Sequence, residues 1–193
     1  NNIDIVISTI PFINRSASLA AQELDIPYIL LTLDLELRTW LLGLDKDDFY
    51  EKMYITLWND NPETRARLKE FKIPDSQLRL IGFPVRKQFF EAKNIGELKK
   101  QYNISEDKLV VMLSMGGSGG SAMYKYVKDI VSLNLPVHVM ACAGKHERLE
   151  RKLRKIKTKE NVSITTLGFT QNMSDIMAVS DIIITKRGPG TLN

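Results

Sequence analysis

The residues best suited to chemistry in this chain are short loops of glycine, lysine and hydroxyl side chains at the ends of apolar strands. Lys186-Arg187-Gly188-Pro189-Gly190-Thr191 follows the run Asp181-Ile182-Ile183-Ile184-Thr185. Two glycines permit unusual backbone angles, a proline stiffens the turn, and Thr191 is suited to capping a helix. Backbone N–H groups at such a turn attract anions, and Lys186 adds a positive charge beside them. A second loop, Ser114-Met115-Gly116-Gly117-Ser118-Gly119-Gly120-Ser121, also runs from a buried strand to a helix. Its glycines let the backbone approach a phosphate closely, although a flexible turn would have the same composition. A third, Ala143-Gly144-Lys145, lies at the carboxyl end of the next strand, where open α/β sheets bind ligands. In the fourth, Gly168-Phe169-Thr170-Gln171-Asn172-Met173, Phe169 is positioned to cover a flat base; core packing would explain that ring equally well. The glycine loop has no Lys-Ser/Thr ending, which disfavours nucleotide hydrolysis of the P-loop kind. The strand after it ends without the acid expected on a dinucleotide ribose, which disfavours an NAD site.

These loops need a sheet to hold them on one edge, and the chain supplies one. Strand-like and helix-like runs alternate: strands at 3–9, 27–32, 77–81, 108–115, 136–143, 162–168 and 181–185, with helices at 15–24, 62–71 and 95–102. Ala17, Ala20, Ala21 and Leu24 share one face of the first helix at helical spacing. Such alternation implies right-handed βαβ units and parallel sheets with helices on both faces. The expected organisation is α/β with two Rossmann-like domains. Residues 1–84 form the carboxyl-terminal part of one, 85–107 a connector and first helix, and 108–193 the second. Residues 33–61 are poorly patterned and read as a loop region near an active site.

At 193 residues the chain can bury a sizeable core, and its formal charge of +4 is too small to argue for nucleic acid. Its one cysteine, Cys142, lies in the apolar run 137–143 and reads as an inert buried thiol in a reducing compartment. No apolar run approaches the roughly 18 residues that a membrane span needs. The start lacks an initiator methionine or a signal-like core, so both ends read as cuts within a longer protein. The most basic segment carries Lys145, Arg148, Arg151, Lys152, Arg154, Lys155, Lys157 and Lys159 around a stripe of Leu149, Leu153 and Ile156. A solvated helix face explains those charges; a surface for anionic lipid is the sharper reading.

Taken together, several segments resemble one family. They are Leu167-Gly168-Phe169 with Asn172-Met173, Ser180 to Lys186 with Gly188-Pro189-Gly190-Thr191, Asp4 to Thr9 with Pro11-Phe12, Gly82 to Arg86, the Gly116 loop and Ala143-Gly144-Lys145. The pattern is similar to monogalactosyldiacylglycerol synthases and processive diacylglycerol glucosyltransferases of glycosyltransferase family 28. A more distant likeness is to the cell-wall enzyme that adds N-acetylglucosamine to lipid I. The resemblance implies a GT-B fold of two Rossmann-like domains, both incomplete in this stretch. It also implies inverting transfer of galactose or glucose from UDP-galactose or UDP-glucose to diacylglycerol or another lipid. UDP-sugar serves as substrate, and neither cofactor nor metal is needed. Carried over by position, Phe169 and Met173 flank the uracil, while Gly188, Pro189, Gly190 and Thr191 hold the diphosphate beside the charge of Lys186, with Gly117 and Ser118 close to the phosphates or the acceptor. Gly116, Gly117, Ser118, Gly119, Gly144 and Lys145 complete the donor side, and Pro11 and Phe12 lie on the acceptor side. Asp34 is the candidate acid in the acceptor cleft, or a solvated loop acid. The family's galactolipid members carry a histidine where this chain has Ile10, and the family usually has a small residue where it has Arg187. The resemblance also implies a peripheral protein on an anionic membrane surface: the cytoplasmic face of a membrane, or the plastid envelope of a photosynthetic eukaryote.

Overall fold

The structure is a computed structural model that describes residues 3–33, 37–45, 47–186 and 188. The chain divides into two compact units, the first running to Val85 and also taking in Gly188, the second beginning at Arg86.

In the first unit, four parallel strands lie in the order β1-β2-β3-β4: β1 (Val6–Ser8), β2 (Tyr28–Leu31), β3 (Met53–Leu57) and β4 (Leu78–Leu80). Helices α1 (Asn14–Glu23), α2 (Leu37–Trp40) and α3 (Pro62–Glu70) join them. Period-2 alternation puts Tyr28, Leu30, Met53, Ile55 and Leu57 on one face, packed with Ala21, Trp40, Leu41 and Leu68. The other face is less covered, with Ile5 44% and Ile7 55% exposed, where a fully covered sheet was expected. Two further expectations fail here. The stretch 33–61 holds α2 and the interior strand β3, whose Met53-Tyr54-Ile55-Thr56-Leu57 has the β-branched and aromatic character of a buried strand. Helix α1 buries Asn14, Ser18 and Ala21, whereas Leu24 is 65% exposed. The polar residues win that face because Asn14 makes three hydrogen bonds there. Its Nδ2 donates to Trp40 O, and its Oδ1 accepts from Ser8 Oγ and Tyr28 OH. Helix α3 begins conventionally, with the Asn61 side chain accepting from Thr64 N at 2.7 Å and Pro62 in its first turn.

The second unit positions the candidate loops. Its sheet runs β7-β6-β5-β8, all parallel, from β5 (Leu109–Ser114), β6 (Val137–Cys142), β7 (Val162–Leu167) and β8 (Ile182–Thr185). Alternate residues of β5 and β6 enter two different cores. Val111, Leu113, Val139 and Ala141 pack with Met123, Val127 and Val131 of α5 (Ala122–Leu133) and Leu149 and Leu153 of α6 (Glu147–Leu153). Val110, Met112, Met140 and Cys142 pack instead with Leu98 of α4 (Ile95–Gln101) and Ile176 of α7 (Met173–Ala178). Helices therefore cover both faces of this sheet, as the alternation predicts for parallel strands. Asp181 ties β8 to the centre, its Oδ2 accepting from Val110 N at 2.7 Å and its N donating to Val110 O at 2.9 Å.

Candidate functional site

The strand order decides where a ligand crevice forms. From β5 the chain steps outward to β6 and β7, then crosses back to lay β8 on the opposite side of β5. The strand order therefore reverses at β5, with β6 on one side and β8 on the other, and such a switch point is where open parallel sheets bind ligands. The register aligns the four strand ends: Ser114 pairs with Cys142 and Thr185, and Cys142 pairs with Leu167. All four candidate loops start from one level.

Close backbone approach fixes the loops against one another. Lys145 N donates to Gly117 O at 2.8 Å, and Gly119 N donates to Gly116 O at 2.9 Å. Gly144 has a φ of +62°, and a Cβ there would stand 2.5 Å from Gly117 O. Gly119 has a φ of +68°, and its Cβ would stand 2.5 Å from Ala143 O and 2.9 Å from His146 Cβ. Only glycine fits either position without moving backbone. Gly117, by contrast, has open space where a Cβ would go. Lys186 joins the same cluster from β8: a Cβ on Gly116 would lie 2.9 Å from its Cε and 3.3 Å from its Nζ. The structure thus brings Gly116, Gly117, Gly119, Gly144, Lys145 and Lys186 together, with Ser118 exposed on the same turn.

Phe169 is 61% exposed, and Lys145 Nζ stands 5.2 Å from its ring centroid. A cation against one part of the ring leaves an aromatic platform beside a positive charge, a combination suited to a base joined to phosphate. Met173 opens α7 half-buried against the Leu98–Ile176 core, so much of its surface is engaged in packing. Gly188 is half-buried with open space at its Cβ position. Arg187, Pro189, Gly190, Thr191 and Asp34 lie outside the described residues. In the first unit, Pro11 and Phe12 form a single 3-10 turn that leaves Phe12 88% exposed.

Three supports escaped sequence reasoning. His146 packs against the Gly119 turn, and its Nδ1 accepts from Leu149 N, capping α6. Glu150 approaches the strand end so closely that a Cβ on Gly168 would stand 2.5 Å from its Oε2. Gln88 donates to Gln171 O at 3.1 Å, tethering the Phe169 loop. A signal existed only for His146, which directly follows Gly144-Lys145 at a helix start. Cys142 is buried at the end of β6, and burial pushes its thiol up to about 12, which leaves it without nucleophilic character. Among the described residues, no helix is long and apolar enough to cross a membrane.

No protein-family model matches the chain. A processive diacylglycerol beta-glucosyltransferase of Staphylococcus epidermidis is 26% identical over 192 residues, covering 98% of this chain and 46% of that protein. A probable chloroplastic monogalactosyldiacylglycerol synthase of Glycine max is 27% identical over 152 residues, covering 75% of this chain and 28% of that one. The chain resembles the diacylglycerol glycosyltransferases. It spans less than half the length of these curated relatives. Among solved structures, MurG of Acinetobacter baumannii superposes with a TM-score of 0.56 at 15% identity, covering 98% of this chain and 48% of that one. Anabaena HepE in complex with UDP-glucose superposes with a TM-score of 0.55 at 10% identity, covering 93% and 52%. At such identities the likeness speaks for fold alone, and that fold is of GT-B type, as expected.

Proposed function

We propose that this chain carries the donor site of a UDP-sugar-dependent, inverting glycosyltransferase that moves galactose or glucose onto diacylglycerol. The observation that carries the reading is the switch-point cluster, where two glycine-locked loops, Lys145, Lys186 and the exposed Phe169 meet at the ends of β5, β6, β7 and β8. Phe169 stacks on the uracil, with Met173 at the side of the ring. The Gly116–Gly119 turn, Gly144 and the segment from Lys186 through Gly188, Pro189, Gly190 and Thr191 surround the diphosphate. When the sugar leaves, negative charge builds on the UDP oxygens, and fixed N–H dipoles with two lysines stabilise it without reorganising. A base on the acceptor side, for which Asp34 is the candidate, takes the proton from the lipid hydroxyl as it attacks the anomeric carbon from the opposite face. The exposed turn at Pro11 and Phe12 is the candidate contact for acyl chains. An acceptor of this kind requires the protein to work at a membrane surface. The organism decides between the cytoplasmic face of a membrane and a plastid envelope.

The likeness to diacylglycerol glycosyltransferases supports the acceptor class, and the UDP-glucose complex of a fold neighbour is in keeping with the donor class. Ile10 favours one competing reading, a nucleotide-sugar binder without transferase activity, because it stands where galactolipid-synthesising members have histidine. A polyprenyl-linked lipid is the other acceptor to test. The deciding assay supplies labelled UDP-galactose and UDP-glucose separately to the intact protein with diacylglycerol liposomes. Labelled glycolipid from one donor is the expected result. UDP binding by calorimetry without product from either acceptor would leave only the non-catalytic binder. Phe169→Ala should weaken UDP binding by roughly tenfold, the scale of losing one base–aromatic stack, with the melting temperature unchanged.

A further inference from the structure

The positive charges on and around α6 are of two kinds. Glu147 pairs with Arg151 at 3.4 Å and Glu150 with Arg154 at 2.7 Å, each one helical turn apart. Both acids of the helix are thereby engaged. Arg148 and Lys152 are also one turn apart, and neither has an acidic partner among the described residues. With Ser121, Tyr124 and His146 they line a depression of about 320 Å³ between α5 and α6. No carboxylate contributes to that lining. Tyr124 is anchored by packing against the core, and Lys128 Nζ stands 5.9 Å over its ring, adding a third cation at the flank. His146 accepts from Leu149 N through Nδ1, so its neutral ring keeps its proton on Nε2. Every polar group in the depression can therefore donate: two hydroxyls, an imidazole N–H, a guanidinium and an ammonium.

That chemistry selects an anion with several acceptor oxygens. Arginine and lysine bind phosphate through charge-assisted hydrogen bonds, and hydroxyl donors fill the remaining oxygen positions. Apart from Ser121, which closes the glycine loop, and His146, which also touches the Gly119 turn, none of these residues belongs to the candidate donor site. We infer that the groove between α5 and α6 is a second anion site that takes a phosphate group. A phospholipid head group and a free phosphate ion present the same chemistry, and the experiment separates them. The inference does not depend on the donor reading, because its readout involves no UDP-sugar.

The test compares two variants of the intact protein that lose the same charge, R148Q/K152Q in the groove and R151Q/R154Q among the paired residues. Three probes are used: inorganic phosphate by calorimetry, and flotation with vesicles of phosphatidylcholine either alone or mixed with about one-third phosphatidylglycerol. The expected result is that wild type binds phosphate or the anionic vesicles. The groove variant should bind about tenfold or more weakly, as two lost charge-assisted contacts imply, while the paired-residue variant stays within about twofold. Binding to anionic vesicles alone, weakened in R148Q/K152Q, assigns the head group; calorimetric binding of phosphate that the same variant weakens assigns the ion. Equal losses in the two variants would mean unspecific attraction to net charge and overturn the groove, as would a wild type that binds none of the probes. Should R148Q/K152Q melt lower than wild type, K152Q alone, at an exposed side chain, is put through the same comparison.

Discussion

Two glycines one residue type apart in nothing but surroundings separate folding from binding. Gly144 combines a positive φ with a Cβ position 2.5 Å from Gly117 O, so Gly144→Ala must push two backbone segments apart and break the Lys145 N to Gly117 O bond. A loss of about 1–3 kcal/mol is expected, read as a lower denaturant midpoint. Gly117 has open space instead, so Gly117→Ala should leave the midpoint unchanged to within about 0.5 kcal/mol. If the Gly116–Gly119 turn holds a diphosphate, the methyl group of Gly117→Ala should still weaken UDP binding in calorimetry. Equal stability losses in the two variants would remove the argument for a built loop pair. At this scale the clustering of the candidate loops was legible. Loops of glycine and lysine after apolar strands announced themselves, and the register of β5, β6, β7 and β8 brings them level. The supports were not legible, because Glu150 beside Gly168 and Gln88 beside Gln171 are contacts between residues distant in sequence that no local pattern encodes.

Elements carry a different kind of information, and β6 holds a group that ties stability to pH. His138 is 2% exposed on β6, with Nδ1 2.8 Å from Ser163 Oγ and Nε2 2.9 Å from Thr165 Oγ1 of β7. Burial first, and the charge of Lys108 second, lower its pKa from 6.5 to about 4. The fold therefore favours the neutral ring. Between those two values the unfolded chain binds a proton that the folded chain does not. Stability from this group is complete above pH 6.5, falls as the pH drops toward 4, and changes no further below it. A shift of that size corresponds to roughly 3 kcal/mol, fully lost only at the acid end. Denaturant unfolding of wild type and His138→Gln across this range checks it: the gap between them should shrink as the pH falls, and a constant gap would show that His138 does not titrate in this window. Sequence reading found β6 from its apolar run but missed β3, whose five residues are flanked by the acidic stretch at 45–51 and the polar turn at 59–61. It also gave α1 an alanine and leucine face, because periodicity counts apolar residues and cannot foresee that Asn14 would satisfy three partners at once.

Across the whole molecule, the alternation of strands and helices sufficed to predict parallel α/β architecture, whereas strand order had to come from the structure. That order leaves β1 at one edge of the first sheet and β8 at one edge of the second. Both edge strands are short, with Asp4, Asp181 and Lys186 beside them, but neither strand carries a charge within its own span. On and beside β1, Ile3, Ile5 and Ile7 are 59%, 44% and 55% exposed, and on β8, Ile182 and Ile183 are 45% and 38% exposed. An edge strand with free backbone groups and isoleucines on its surface is a template for pairing with another chain, so the 193-residue chain alone should self-associate as its concentration rises. Lysines at Ile5 and Ile7 would oppose that without emptying the core, whose members in this unit lie on the face of Tyr28, Leu30 and Ile55. In sedimentation velocity, wild type should shift to larger species over a rising concentration series, and I5K/I7K should remain monomeric for longer at an equal melting temperature. A wild type that stays monomeric throughout would mean that the half-exposed isoleucines are tolerated as they stand. If the variant associates as strongly as wild type, the contact belongs to Ile182 and Ile183 on β8, and I183K becomes the decisive substitution.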